Sequence, residues 1–187
     1  MHEVIVMGLS AGGMQALKIV IPALPQSFPL PIAIVQHTAS QPESFLAEYL
    51  DGISAITVKE AEDKEPIQRG VVYLAPAGYH LLVDPDRCFS LSVDLPVNYS
   101  CPSIDVLFES AADAFADSLI GVVLTGANGD GSRGLKAIKD RGGTAIVQNP
   151  ATAEVPYMPQ AAIDATPVDY IVDVEKLVPL LLQLSKP

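Results

Sequence analysis

The sequence is poor in the residues that build disulfide frameworks, metal centres and nucleic-acid surfaces. Among its 187 residues there are no tryptophans, two cysteines and three histidines. Cys88 and Cys101 are too few for a disulfide framework, and alone they cannot complete a tetrahedral metal site. Eleven basic residues stand against 22 acidic ones, which gives a net charge of −11. This excess of acid excludes the basic surface that nucleic-acid binding requires.

Long apolar runs are also missing. No run approaches the roughly 20 residues that span a bilayer. The N-terminus carries Glu3 and has neither the basic region nor the cleavage pattern of a secretory signal. Hydrophobic residues nevertheless make up 49% of the chain and charged residues 18%, which is typical of a packed globule. We therefore expect a cytoplasmic protein without membrane insertion.

Short apolar runs alternate with segments of helical character. The predicted strands are 3–7, 31–36, 55–59, 71–75, 119–125, 143–148 and 169–172. The predicted helices are 13–22, 41–50, 104–116, 131–141, 157–164 and 174–184. The runs at 31–35 and 119–124 are too continuously apolar for one face to meet water, which is typical of parallel strands covered on both sides. The alternation predicts an α/β fold, with a doubly wound, mostly parallel sheet and helices on both faces.

One stretch departs from this alternation. From Val71 to Val93 the pattern is strand, turn and strand, with Asp84-Pro85-Asp86 as the turn. The simplest interpretation is an antiparallel β-hairpin appended to the sheet. Since no repeat or interdomain linker is found, residues 1–187 are predicted to form a single domain.

The first strand leads into a glycine-rich corner that contains a serine. Ser10 lies in Gly8-Leu9-Ser10-Ala11-Gly12-Gly13, between the apolar run Val4–Met7 and a predicted helix. Small neighbours would leave its hydroxyl accessible, and the free N–H groups of a helix N-terminus favour negative charge. A strand, serine and helix in this order is a known way to expose a nucleophile. The same glycine-rich turn is also compatible with binding a phosphate.

Two other polar residues follow buried strands. His37 comes after the second strand and Asp130 lies in the loop after the strand at 119–125. If the first two strands are neighbours, Ser10 and His37 share one rim of the sheet, where a serine needs a base. Asp130 could orient the imidazole, although an ordinary loop histidine and a helix-capping aspartate are the alternatives.

These residues resemble a known family. The segments Gly8–Gly13, Val35-Gln36-His37, Leu124-Thr125-Gly126 and Asp130-Gly131 are similar to the catalytic domain of the chemotaxis protein-glutamate methylesterases, the CheB family. The similarity continues, in the same order along almost the whole chain, through Val72–Pro76, Gly78–Leu81, Pro102–Phe108 and Met158-Pro159.

The resemblance implies a serine hydrolase that cleaves glutamyl γ-methyl esters of chemoreceptors and releases methanol, and some members also deamidate glutamines. It implies Ser10 as nucleophile, His37 as base and Asp130 as the orienting acid. Backbone N–H groups around Ala11, Gly12 and Gly13 are the expected oxyanion donors. No cofactor or metal is expected. The implied partners are methyl-accepting chemotaxis receptors or similar methylated signalling proteins.

Three departures from the family pattern bear on these expectations. Ala127 stands where the family commonly has Met, and Cys101 stands where it often has Arg. The family usually carries a receiver domain before the catalytic domain, but we expect none within residues 1–187. A receiver domain or another signalling partner in trans is then the implied regulator. His80 borders the implied site and is predicted either to contact substrate or to make a structural hydrogen bond. A non-catalytic regulatory module and a nucleotide-binding module on the same fold remain the alternatives.

Overall fold

The computed structural model describes residues 1–37 and 44–186. Within these ranges the nine strands are β1 (Val4–Leu9), β2 (Ile32–Gln36), β3 (Thr57–Glu60), β4 (Val71–Leu74), β5 (His80–Val83), β6 (Phe89–Ser92), β7 (Leu119–Val123), β8 (Thr144–Gln148) and β9 (Tyr170–Val172). The helices are α1 (Gly13–Ala23), α2 (Ser44–Gly52), α3 (Ile104–Phe115), α4 (Ser132–Asp140), α5 (Tyr157–Ala165) and α6 (Val174–Leu184). The predicted start of the second helix at 41 lies outside the described residues.

Seven strands form one parallel sheet in the order β3-β4-β2-β1-β7-β8-β9. The strands β2, β3 and β4 lie on one side of β1, with β4 between β2 and β3, and the chain then returns to place β7 on the other side of β1. The strand order therefore reverses between β1 and β7, and such a reversal opens a crevice at the carboxyl ends of the strands.

Helices cover both faces because β1 and its neighbours are apolar on both sides. Ile5 and Met7 belong to a core with residues of α1, α2 and α6, whereas Val4 and Val6 belong to a second core with residues of α3, α4 and α5. Successive strand residues point to opposite faces, so a continuous apolar run supplies both cores. The prediction of a doubly wound α/β fold is confirmed.

The antiparallel hairpin is present but shorter than predicted. β5 and β6 pair with each other as a separate two-stranded sheet, with the turn at 84–88. Val71–Leu74, which the pattern included in the hairpin region, instead pairs in parallel with β2 and β3. β4 pairs with a strand on each side, so its backbone N–H and C=O groups are hydrogen-bonded within the main sheet. Its side chains are largely buried there.

No helix of residues 1–37 and 44–186 is long and apolar enough to cross a membrane. The single-domain organisation of residues 1–187 stays a prediction.

Candidate active site

Ser10 and His37 lie side by side at the carboxyl edge of the sheet. Leu9 at the end of β1 is paired with Gln36 at the end of β2, so the next residue of each strand is Ser10 and His37. The His37 N–H donates to the Leu9 carbonyl over 2.9 Å, and the Ser10 N–H donates to the Thr125 carbonyl beyond β7 over 2.9 Å. β1 and β2 are neighbours, which is the condition under which Ser10 and His37 share one rim of the sheet.

Gln36 fixes the backbone on both sides of this pair. Its Nε2 donates one hydrogen bond to the Ser10 carbonyl (3.0 Å) and one to the His37 carbonyl (2.7 Å). A primary amide has two N–H groups, and here both are used. A Cβ placed on Gly13 would lie 1.9 Å from Gln36 Oε1, so only glycine leaves room for this amide.

Asp130 is buried among five donors. Its exposed fraction is 0%. Oδ2 accepts from His37 Nε2 (2.9 Å) and Ile104 N (2.6 Å). Oδ1 accepts from Asn98 Nδ2 (2.8 Å), Ser103 Oγ (2.8 Å) and Asp105 N (3.2 Å). A buried carboxylate with this many donors is held in one orientation.

The donors decide the charge of Asp130. Burial alone would raise the pKa of the carboxyl, but the hydrogen bonds from His37, Asn98, Ile104 and Ser103 outweigh burial and hold the pKa below its ordinary value. Asp130 is therefore ionised at neutral pH and can stabilise an imidazolium on His37.

The second nitrogen of His37 faces away from Asp130. Nδ1 lies 3.5 Å from Ser100 Oγ, at the limit of a hydrogen bond. A cavity of about 150 Å³ lies here, lined by His37, Tyr99, Ser100, Cys101 and Pro102. In the part of the chain that the structure describes, no hydrogen bond joins the Ser10 hydroxyl to His37. Such catalytic hydrogen bonds are often long before substrate binds.

Two of the three expected oxyanion donors have unused N–H groups. Among residues 1–37 and 44–186, no acceptor is found for Ala11 N or Gly12 N, whereas Gly13 N donates to the Ser10 carbonyl over 2.8 Å. Gly13 N–H thus closes the turn and is not offered to a ligand. Ala127 is exposed on the loop after β7, with no side chain beyond Cβ to wall the site.

His80 is inside the protein. Only 1% of it is exposed, its Nδ1 accepts from Ser103 N (3.1 Å) and its Nε2 donates to the Leu95 carbonyl (3.2 Å). The expectation that His80 contacts substrate has no support in this arrangement, because neither ring nitrogen is available. The structural hydrogen bond was the alternative, and it joins the hairpin to the segment that leads into α3.

Several supporting residues were not singled out from the sequence. Thr125 Oγ1 donates to the Ala11 carbonyl (2.9 Å) and accepts from Val155 N (2.9 Å), so it anchors the serine loop from β7. Asn98 and Ser103 hold Asp130. Ser103 lies in the family-like segment Pro102–Phe108 but was given no role there, and nothing in the local pattern marks Asn98. Asp105 carried a signal, since an acidic residue lies among apolar ones at the start of α3.

The fold and the site together define an α/β protein with Ser, His and Asp gathered at the carboxyl edge of a parallel sheet, an arrangement found in serine hydrolases. The family model described as CheB methylesterase matches residues 5–181. The chain therefore belongs to the CheB methylesterase family, a family of hydrolases, and the resemblance seen in its motifs is confirmed.

Relatives and a solved structure agree with this assignment. A protein of Leptospira interrogans is 50% identical over 185 residues, which cover 99% of this chain and 96% of that protein. The "protein-glutamate methylesterase/protein-glutamine glutaminase 1" of Carboxydothermus hydrogenoformans is 44% identical over 87% of this chain, which spans about half (49%) of that protein. The crystal structure of the Thermotoga maritima CheB methylesterase catalytic domain superposes with a TM-score of 0.94 at 36% identity, covering 98% of this chain and 99% of that one.

Proposed function

We propose that this protein hydrolyses γ-methyl esters of glutamate side chains on methylated chemoreceptors, with Ser10 as nucleophile, His37 as general base and Asp130 as the orienting acid. The observation that carries the proposal is the 2.9 Å bond between His37 Nε2 and the buried Asp130 Oδ2, beside the strand end that bears Ser10. A buried, ionised carboxylate bonded to a histidine at the sheet edge is the arrangement that an orienting acid requires. The family and its relatives likewise favour the hydrolase over the regulatory and nucleotide-binding alternatives.

The geometry assigns each nitrogen of His37 a task. Nε2 carries the proton that bonds Asp130, so Nδ1 is left with a lone pair and can take the proton from Ser10 Oγ. Ser10 Oγ then forms a bond to the ester carbonyl carbon, and the carbonyl oxygen becomes an oxyanion. Ala11 N–H and Gly12 N–H are the donors open to it.

Collapse of this intermediate breaks the bond to the methoxy oxygen. His37 returns its proton to that oxygen, methanol leaves, and a glutamyl ester on Ser10 remains. Water then gives a proton to His37 and attacks the acyl group, which restores the free carboxylate of the substrate and the Ser10 hydroxyl. An amide substrate follows the same path with ammonia as leaving group, which is the second activity in the name of the Carboxydothermus relative.

The test is methanol release from a methylated receptor fragment by the wild type, Ser10→Ala and Ser27→Ala. Ser27 is exposed and serves as the matched control. We expect Ser10→Ala to lose at least about 10⁴-fold in kcat and Ser27→Ala to match the wild type. Equal release by Ser10→Ala and the wild type would contradict the mechanism. Ammonia release from the glutamine form of the same fragment measures the second activity.

A further inference from the structure

Asp105 is a buried carboxylate that the reaction steps above do not use. It lies in the first turn of α3, and 2% of it is exposed. Its Oδ1 accepts from Gly131 N (2.9 Å) and Gly134 N (2.7 Å) at the start of α4. Its Oδ2 accepts from Asn98 Nδ2 (2.9 Å). The carboxylate of one helix therefore satisfies free N–H groups of another.

Asp130 makes the reverse connection. It stands just before α4, and it accepts from Ile104 N (2.6 Å) and Asp105 N (3.2 Å), which open α3. The first N–H groups of α3 thus bind Asp130, and N–H groups at the start of α4 bind Asp105. The Asp105 N–H donates to the Asp130 carboxylate, and the Asp105 carboxylate accepts from the N–H of Gly131, the residue after Asp130. The positions of the two carboxylates are therefore coupled.

Asn98 joins the two carboxylates directly. Its Nδ2 donates one hydrogen bond to Asp105 Oδ2 (2.9 Å) and one to Asp130 Oδ1 (2.8 Å). Two like charges would otherwise face each other inside the protein, and a shared donor offsets their repulsion. Asn98 has a φ of 51°, in the left-handed region that asparagine tolerates better than most residues.

We propose that Asp105, acting through Asn98 and the first turn of α4, is a positioning residue that aims Asp130 at His37. This inference rests on the proposed function only where it treats Asp130 as the orienting acid. Within residues 1–37 and 44–186 the Asp105 carboxylate bonds Asn98, Gly131, Gly134 and Arg133 but neither His37 nor Ser10, so we expect it to act on His37 through Asp130.

Asp130 and Arg133 are the charged neighbours that act on the pKa of Asp105. Burial raises the pKa of Asp105, the charge of Asp130 raises it further, and the Gly134 N–H, Asn98 and Arg133 lower it, with a raised value as the result. Arg133 Nε lies 3.8 Å from Oδ2 and pairs mainly with Glu109 at 2.6 Å. Three donors point at Asp105, so the ionised form completes the network and protonation weakens it.

The test compares Asp105→Asn with Asp113→Asn, which makes the same chemical change at an exposed position of the same helix. An asparagine side chain at position 105 must point its NH₂ group either at the N–H groups of Gly131 and Gly134 or at the NH₂ group of Asn98. In both cases one hydrogen-bond donor faces another and loses its acceptor. The first readout is the ¹H NMR resonance of the proton between His37 Nε2 and Asp130 in the resting protein, which needs no substrate. The second is kcat and KM for methanol release.

We expect Asp105→Asn to shift or broaden that resonance and to lower kcat about tenfold to a hundredfold, with KM within about twofold of wild type. Asp113→Asn should leave both readouts unchanged. Asn98→Ala should act in the same direction as Asp105→Asn, and it carries the test if Asp105→Asn does not fold, since both helix starts stay capped.

A wild-type resonance and wild-type kcat in folded Asp105→Asn or Asn98→Ala would overturn the inference. Lower kcat with an unchanged resonance would also overturn it, because the loss would then not pass through Asp130. A wild type that releases no methanol, but whose resonance responds to Asp105→Asn, would contradict the proposed function and support the positioning role.

Discussion

Replacing Asp130 by asparagine changes one oxygen of the site into an NH₂ group while keeping its shape. Three donors point at Oδ1, from Asn98, Ser103 and Asp105, and two point at Oδ2. We therefore expect the one oxygen of the asparagine to occupy the Oδ1 position, where it accepts all three hydrogen bonds. The NH₂ then faces Ile104 N–H and His37 Nε2. The Ile104 N–H loses its acceptor inside the protein, which costs about 1–3 kcal/mol of unfolding free energy.

The larger effect is on the base. His37 Nε2 must now accept a hydrogen bond, so the ring proton moves to Nδ1, the nitrogen assigned to take the proton of Ser10. Neutralising the acid of such a triad costs about 10⁴-fold in kcat. We therefore expect Asp130→Asn to lower kcat by about 10³ to 10⁴-fold, a far larger loss than its effect on stability would cause.

The assay is methanol release at saturating substrate, with urea unfolding of the same samples to measure the free energy of unfolding. Asp140→Asn, at an exposed position of α4, is the matched control. A folded Asp130→Asn protein whose kcat lies within tenfold of wild type would refute the assigned role of the acid.

Three further perturbations test other parts of the structure. Gly13→Ala should lose about 1–3 kcal/mol of unfolding free energy, because the new Cβ would lie 1.9 Å from the Gln36 amide oxygen. Gly52→Ala is the control, since a Cβ there meets nothing within 4 Å, and it should keep the wild-type stability. Urea titration of both variants measures the difference. Gln36→Leu should lower kcat about tenfold to a hundredfold, since both carbonyls that it bridges lose a donor, with the exposed Gln15→Leu as control. Because the pKa of Asp130 is lowered in the folded protein, its carboxylate stabilises the fold above the unfolded Asp pKa of about 3.9. This stabilisation is lost as the pH falls further, through the folded pKa. Acid unfolding curves of the wild type should show the loss, and those of Asp130→Asn should not.

The features set by single strands could be predicted from the sequence. Val4–Met7 and 31–35 are apolar on both faces, so they predict buried parallel strands. If such strands are neighbours, their common edge carries Ser10 and His37, and the structure pairs β1 with β2. Asp130 follows β7, which pairs with β1 on its other side. The Ser, His and Asp arrangement therefore depends on the strand order of the sheet, which α/β alternation by itself does not specify.

The surroundings of these residues depend on packing between distant elements. Asp105 and Asp130 are 25 residues apart, and only the docking of α3 on α4 brings each carboxylate to the other helix. The burial of His80 likewise depends on where the 95–103 segment lies over the hairpin. The expectation that Gly13 is an oxyanion donor is wrong, because its N–H closes the turn by donating to the Ser10 carbonyl. For Ala11 and Gly12 this role stays a prediction.

The central claim is that Ser10 is the nucleophile, activated by the base beside it. A fluorophosphonate, which forms a bond with an activated serine and releases fluoride, tests this without a receptor substrate. Labelling followed by peptide mapping should place the phosphonyl group on Ser10 in the wild type, and His37→Ala should label far more slowly. A label on Ser100, whose Oγ lies 3.5 Å from His37 Nδ1, or an equal rate in His37→Ala would contradict the account.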